Sequence, residues 1–143
     1  MNLNINPDRY IRKAIFDLTN GLIVGGKTIK TYDSRAPKSP DNYILLTAQS
    51  KDIDKSTKCG YEWESSILIE IYTTVSSSGN NGSRLLLNEI EENVMNLLNP
   101  NLIVDNFANQ MQNITFENSL ETITDTEIIM RSFLRLNLTL KQI

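Results

Sequence analysis

The sequence predicts an α+β fold: an antiparallel or mixed β-sheet with two helices packed on one face. Three observations carry this. Apolar residues recur at helical spacing in only two stretches, after Asn6-Pro7-Asp8 and after Ser83. They alternate with a period of two along Tyr61–Val75 and Ile128–Leu140. The strand-like runs are joined by short turn phrases or mid-length loops, and two helices are too few for a βαβ series. The expected order is α-β-β-β-β-α-β-β, within a single domain spanning residues 1–143.

The first helix opens with a capping Asn6, Pro7 suited to the first helical position and Asp8 near the positive end of the helix dipole. Ile11, Ala14, Ile15 and Leu18 form its apolar stripe. Arg9, Arg12, Lys13 and Asp17 fall mostly elsewhere on the wheel, and Asn20-Gly21 stops it. Leu22-Ile23-Val24, Gly25-Gly26 and Lys27–Tyr32 then read as a hairpin, because Gly-Gly permits the positive φ angles of a tight turn. Residues 33–42, with Pro37 and Pro40, read as a loop.

Tyr43–Gln49 is a strand with an apolar start. Ser50–Gly60 is polar and charged, and should be either a flexible loop or a protruding hairpin tip. In Tyr61–Val75, Ile67, Ile69, Ile71, Thr73 and Val75 share one face, and Leu68, Glu70, Tyr72 and Thr74 the other. Ser76–Gly82 is too polar and Gly-rich to pack. Ser83 caps the second helix, whose stripe is Leu86, Leu87, Ile90, Val94 and Leu97, and Asn99-Pro100-Asn101 ends it. Gln112–Glu117 alternates as a strand, and Asn118–Thr126 reads as a polar connection. The last strand places Ile128, Met130, Leu134, Leu136, Leu138 and Leu140 on one parity and Arg131, Phe133, Arg135, Asn137, Thr139 and Lys141 on the other.

Composition narrows the function classes. The net charge of −3 argues against nucleic acid as the main partner, and no specific nucleic-acid contact is expected. Residues 1–60 carry ten Lys/Arg against six Asp/Glu, whereas residues 61–143 carry four against eleven. There is no histidine, which removes the usual general base and the commonest metal ligand. The lone Cys59 permits no intrachain disulfide and no Cys-rich zinc site, and a free thiol suits a reducing compartment such as a host cytoplasm. No apolar run reaches a membrane span, and Met1–Ile5 lacks the basic-then-apolar pattern of a signal peptide. No metal or cofactor is expected.

Gly21, Gly26, Lys27 and Thr28 match the spacing of a phosphate-binding loop, which needs a strand before it and a helix after it. Here a helix precedes and a β-like run follows, so the hairpin reading competes with a nucleotide-binding enzyme. Glu62 and Glu64 flank Trp63; paired carboxylates can do acid–base work, but alternate strand glutamates also simply face water. Trp63, Tyr61 and Tyr72 suit either core packing or an interface anchor. Arg131 and Arg135, with Phe133 between them, suit phosphate or a carboxylate-bearing partner, a subunit interface before a nucleic-acid footprint.

The phrase Thr31-Tyr32-Asp33-Ser34-Arg35-Ala36-Pro37, followed by Tyr43-Ile44-Leu45-Leu46, resembles the phage tail-terminator and tail-completion family. The similarity continues through Lys58-Cys59-Gly60, Ile67–Tyr72, Ser76–Gly82, Ser83–Leu98, and Phe116 with Ile128–Leu140, nearly the whole chain. Tyr61–Glu64 and the polar 118–126 segment have no clear counterpart in the family pattern. The resemblance implies a non-enzymatic virion protein of the tail or neck, assembled in the host cytoplasm. It implies a homo-oligomeric ring, commonly a hexamer, that ends the tail tube and meets both the tube protein and the head–tail connector proteins. Loops 33–42, 50–60 and 76–82 would make the contacts. The expected interface residues are Lys51, Asp52, Asp54, Lys55, Lys58, Trp63, Arg131 and Arg135. A small peptide-binding adaptor domain is the remaining alternative.

Overall fold

The computed structural model describes residues 5–36, 42–54, 62–76, 84–98, 102–124 and 126–143. The element order is α1 (Asp8–Thr19), β1 (Leu22–Val24), β2 (Lys27–Asp33), β3 (Asn42–Asp54), β4 (Glu62–Ser76), α2 (Arg84–Leu98), β5 (Phe107–Ile123) and β6 (Glu127–Gln142). The strands form one six-stranded sheet in the order β1-β2-β3-β4-β6-β5. Every neighbouring pair is antiparallel except β2 with β3, so the sheet is mixed and the fold is α+β as expected.

Asn6 Oδ1 accepts a hydrogen bond from the Asp8 N–H at 3.1 Å, which satisfies one of the free donors at the start of α1. Thr19 and Thr31 share a hydroxyl–hydroxyl bond of 2.7 Å at the other end, tying the helix to β2. The β1–β2 turn has Gly25 at φ 58° and Gly26 at φ 77°, the left-handed pair that a two-residue hairpin demands.

Period-two alternation places the core. Ile67, Ile69 and Ile71 on β4 lie opposite Leu136, Leu134 and Ser132 on β6. Ile44 and Leu46 on β3 continue the rows opposite Ile71 and Ile69. These side chains are buried with Ile11 and Ile15 of α1 and Leu86, Leu87, Ile90, Val94 and Leu98 of α2, in one cluster. Both helices therefore cover the same sheet face. Ser132 is the one polar residue in the middle of the β6 row, and its hydroxyl donates to Glu91 of α2.

Several boundaries differ from the sequence reading. Leu18 is 40% exposed, because α1 turns Ile11, Ile15 and Thr19 inward instead. Leu98 is fully buried where Leu97 was expected. Residues 50–54 are not loop but the end of β3, paired with residues 62–66 of β4, so the protruding-hairpin alternative holds there. The 118–126 segment is mostly strand: β5 runs to Ile123 and pairs with β6 up to Ile128. Polar sequence hid this strand because it extends past the core, where Glu121, Thr122, Ile123 and Thr124 are exposed. The start of β5 was also missed. Gln112 explains its placement, since its amide bonds the Leu98 carbonyl, the Leu102 N–H and Asn109, fixing the end of α2 to the strand. The Ser83 cap, Tyr61, and residues 37–41, 55–60 and 77–82 of the expected loops lie outside the described residues.

Arg12, off the apolar stripe of α1, enters the β3 bulge between Leu46 and Gln49 with its side chain 22% exposed. Its guanidinium donates to the Leu46 carbonyl at 2.8 Å, to the Thr47 carbonyl, to Gln49 Oε1 at 2.9 Å and to Asp33. One planar fork thus holds α1, the end of β2 and the irregular part of β3. Lysine cannot reproduce that geometry.

Two outcomes are expected on stability. Ile69→Ala removes the centre of the buried row and should lower unfolding free energy by about 2–5 kcal/mol, read by denaturant melts with an unchanged m value. Arg12→Ala leaves carbonyls without their donor and should cost about 2–3 kcal/mol, with Arg12→Lys recovering only part of it.

Candidate interaction surface

The sheet face away from the helices is built from the residues that alternate with the core. Tyr32 on β2, Tyr43 on β3 and Tyr72 on β4 stand in line there. The Tyr43 and Tyr72 rings stack at 4.8 Å with planes 10° apart, and Tyr32 meets Tyr43 edge-on at 6.1 Å. Arg131 continues the line, since it lies opposite Tyr72 in the β4–β6 register. The Tyr72 hydroxyl donates to Glu70 Oε1 at 2.8 Å. Partial burial, then this bond and the negative charge of Glu70, push the Tyr72 phenol up to about 12; the adjacent Tyr43 phenol is also raised, chiefly by burial.

Arg131 and Arg135 do project on this face with Phe133 between them, as the strand parity predicts. Both already have partners in the chain. Arg131 Nη2 donates to Thr122 Oγ1 at 2.7 Å. Arg135 Nε donates to Glu117 Oε1 at 3.0 Å and its Nη1 to Ser66 Oγ at 3.3 Å. The partly exposed Arg135–Glu117 ion pair contributes about 0–1 kcal/mol, so it aligns the strands weakly.

The other expected interface residues separate in space. Trp63 points to the helix side, half-buried against the core beside Leu140 and Ile53. Lys51 also faces the helix side, where its ammonium pairs with Asp8 of α1 at 2.7 Å. Asp52 lies on the open face directly across from Glu64. Ser50, Asp52, Glu64 and Asn137 line a shallow polar depression of about 270 Å³. Lys55, Lys58 and the side chain of Asp54 lie outside the described residues. Of the described charged residues of the β3–β4 hairpin, alternation sends Lys51 and Asp52 to opposite faces.

The Gly21–Thr28 segment is a β-hairpin. Lys27 and Thr28 begin β2, and no helix follows to present its N-terminus to a phosphate. Among the described residues, no group of three or more His, Cys, Asp or Glu is placed to hold a metal. Among them, no helix is long and apolar enough to cross a membrane.

A second surface was not anticipated. On the helix side, the edge strand β5 carries Phe116 at 54% exposure, with Ile123 at 72% and Ile128 at 37% near the hairpin end. At the opposite flank a cleft of about 360 Å³ opens beside α1, lined by Arg9, Arg12, Lys13, Phe16, Asp33 and Leu46. The sequence signal for the first was Phe116 in a strand whose neighbours are polar; nothing local marked the cleft.

With this geometry in hand, the fold can be compared with known ones. It is similar to a chain in the solved structure "Virion of native gene transfer agent (GTA) particle", with a TM-score of 0.60, 12% identity, and coverage of 95% of this chain and 99% of that one. The likeness establishes a shared fold over nearly the full length. No family model and no curated protein matches the sequence.

The tyrosine row generates a pH dependence. A phenol whose folded pKa lies above its unfolded value of about 10 contributes stability fully present below pH 10 and lost as pH rises towards 12. Unfolding free energy should therefore fall over that window. Tyrosinate absorbance should show a late-titrating phenol that is lost in Tyr72→Phe. An unchanged late phase in that variant would assign the effect elsewhere.

Proposed function

We propose that this chain is a virion structural protein, and more specifically the subunit of a ring that ends a tail tube and meets the head connector. The observation that carries the reading is the fold shared across 95% of the chain with a chain of a virion particle. The resemblance to tail-terminator proteins in the turn phrase around Asp33 supports the finer assignment. The structure of that phrase gives it a physical role: Asp33 is held by Arg12, Ser34 turns with φ 66°, and the Ser34 N–H returns to the Leu46 carbonyl at 2.8 Å.

The action of such a protein is geometric. A subunit with two different flanks binds its neighbour head to tail, and the contact closes into a ring if the rotation per subunit divides a full turn. The open sheet face, with its tyrosine row and arginines, is then available to a tube or connector protein. No catalytic step is part of this reading. The free edge of β5 also suits a peptide-binding adaptor, in which a partner strand is added to the sheet.

Negative-stain electron microscopy and mass measurement of the purified protein test the proposal. Closed rings of uniform diameter are expected, along with an absence of ATP or GTP hydrolysis that Lys27→Ala leaves unchanged. A monomeric mass together with tight binding of an extended peptide would favour the adaptor instead.

A further inference from the structure

We infer that the ring contact, if the ring reading holds, is made by the Phe116 flank of one copy seated in the cleft beside α1 of the next. The argument starts from register. Asp33, Leu46, Ile69, Leu134 and Phe116 are successive partners across β2, β3, β4, β6 and β5. They form a single lateral row on the helix side of the sheet. Three members of that row are fully buried, but its two ends are open. At one end Asp33 lines the cleft; at the other Phe116 stands exposed. Four strand spacings separate the ends, about 19 Å. A sideways step from one copy to the next therefore brings Phe116 to the cleft at the same height on the sheet.

The chemistry of the two ends matches. Phe16 gives the cleft an apolar wall above the fully buried Leu46, and Arg9, Arg12 and Lys13 line it, Arg12 paired with Asp33 and Lys13 with Asp17. On the facing flank, Phe116 and Ile123 are the apolar projections. Along the same strand Glu121 shares the helix side with them, paired with Arg84, and Glu117 sits on the other face, paired with Arg135; a neighbour's cations can exchange for either partner. An aromatic anchor in an apolar pocket, ringed by opposite charges, is the usual form of a binding hot spot. The strand behind Phe116 is also an edge, with backbone groups free to pair. The two surfaces differ, so the contact is heterologous, as a ring requires. The occupant is thus a second copy of this chain.

The test uses the full chain and two variants. Phe116→Asp damages the projecting flank, and Arg9→Glu with Lys13→Glu damages the cleft. These side chains lie at the surface or edge, so thermal melts should move by no more than about 3 °C. Sedimentation velocity should show a ring for the unaltered protein and its loss in each variant, with association weakened about 30-fold or more. Mixing the two variants should restore one intact junction and give a heterodimer that grows no further. A ring retained in both variants would overturn this interface and leave the ring reading standing. Loss in both with no heterodimer on mixing would overturn the head-to-tail pairing of these two surfaces. A monomer at every concentration of the unaltered protein would overturn the ring reading itself, and this interface with it.

Discussion

The pairing of β4 with β6 is the constraint on which the rest depends. The two strands match from Glu62 with Lys141 to Ser76 with Glu127, without a register shift. Their apolar residues alternate with polar ones over that length. A one-position slip of β4 would carry Ile67, Ile69 and Ile71 to the open face and turn Leu68 and Glu70 inward, and a slip of β6 would likewise trade Leu134 and Leu136 for Phe133 and Arg135. Burial of several large side chains is lost in any such slip, at about 1.5–3 kcal/mol each, so the register is strongly determined. The helices then have one apolar surface to cover, and both go to it.

The irregular part of the sheet is organised by polar contacts. The neighbours β2 and β3 are parallel, yet only residues 34–41 join them. Parallel strands ordinarily need a longer crossover. The bulge in β3 and the turn at Ser34 leave carbonyls and an aspartate close together, and Arg12 from α1 satisfies them at once. The same arginine lines the cleft at that flank. Local structure and candidate interface therefore share a residue, which links the integrity of the turn to the shape of the surface.

Much of the interaction surface was legible in part. The parity of Arg131, Phe133 and Arg135 followed from alternation alone. That both arginines have intramolecular partners did not, because Glu117 and Thr122 reach them from a strand paired across the sheet. Within the expected charged stretch, Lys51 and Asp52 face opposite ways because residues 50–54 extend β3. Trp63 stands on the helix side beside Ile53 and Leu140, half-buried against the core, with the rest of its ring open to a partner. The cleft had no local signature at all, being formed by α1, β2 and β3 together.

By itself the sequence determined the element order, the Gly25-Gly26 hairpin and the wet and dry faces of β4 and β6. These are properties of near neighbours: positive φ at glycine, capping at Asn6, and alternation along a strand. Tertiary structure decided where β5 begins and ends, the parallel placement of β2 beside β3, the inward turn of Arg12 and the exposure of Phe116. Each depends on partners far away in the chain. A polar strand is stabilised by the ladder of its neighbour rather than by its own pattern, and an apolar residue is buried only where another element reaches it. Phe116 has the sequence pattern of a core position and remains in water because it sits at the edge of the sheet.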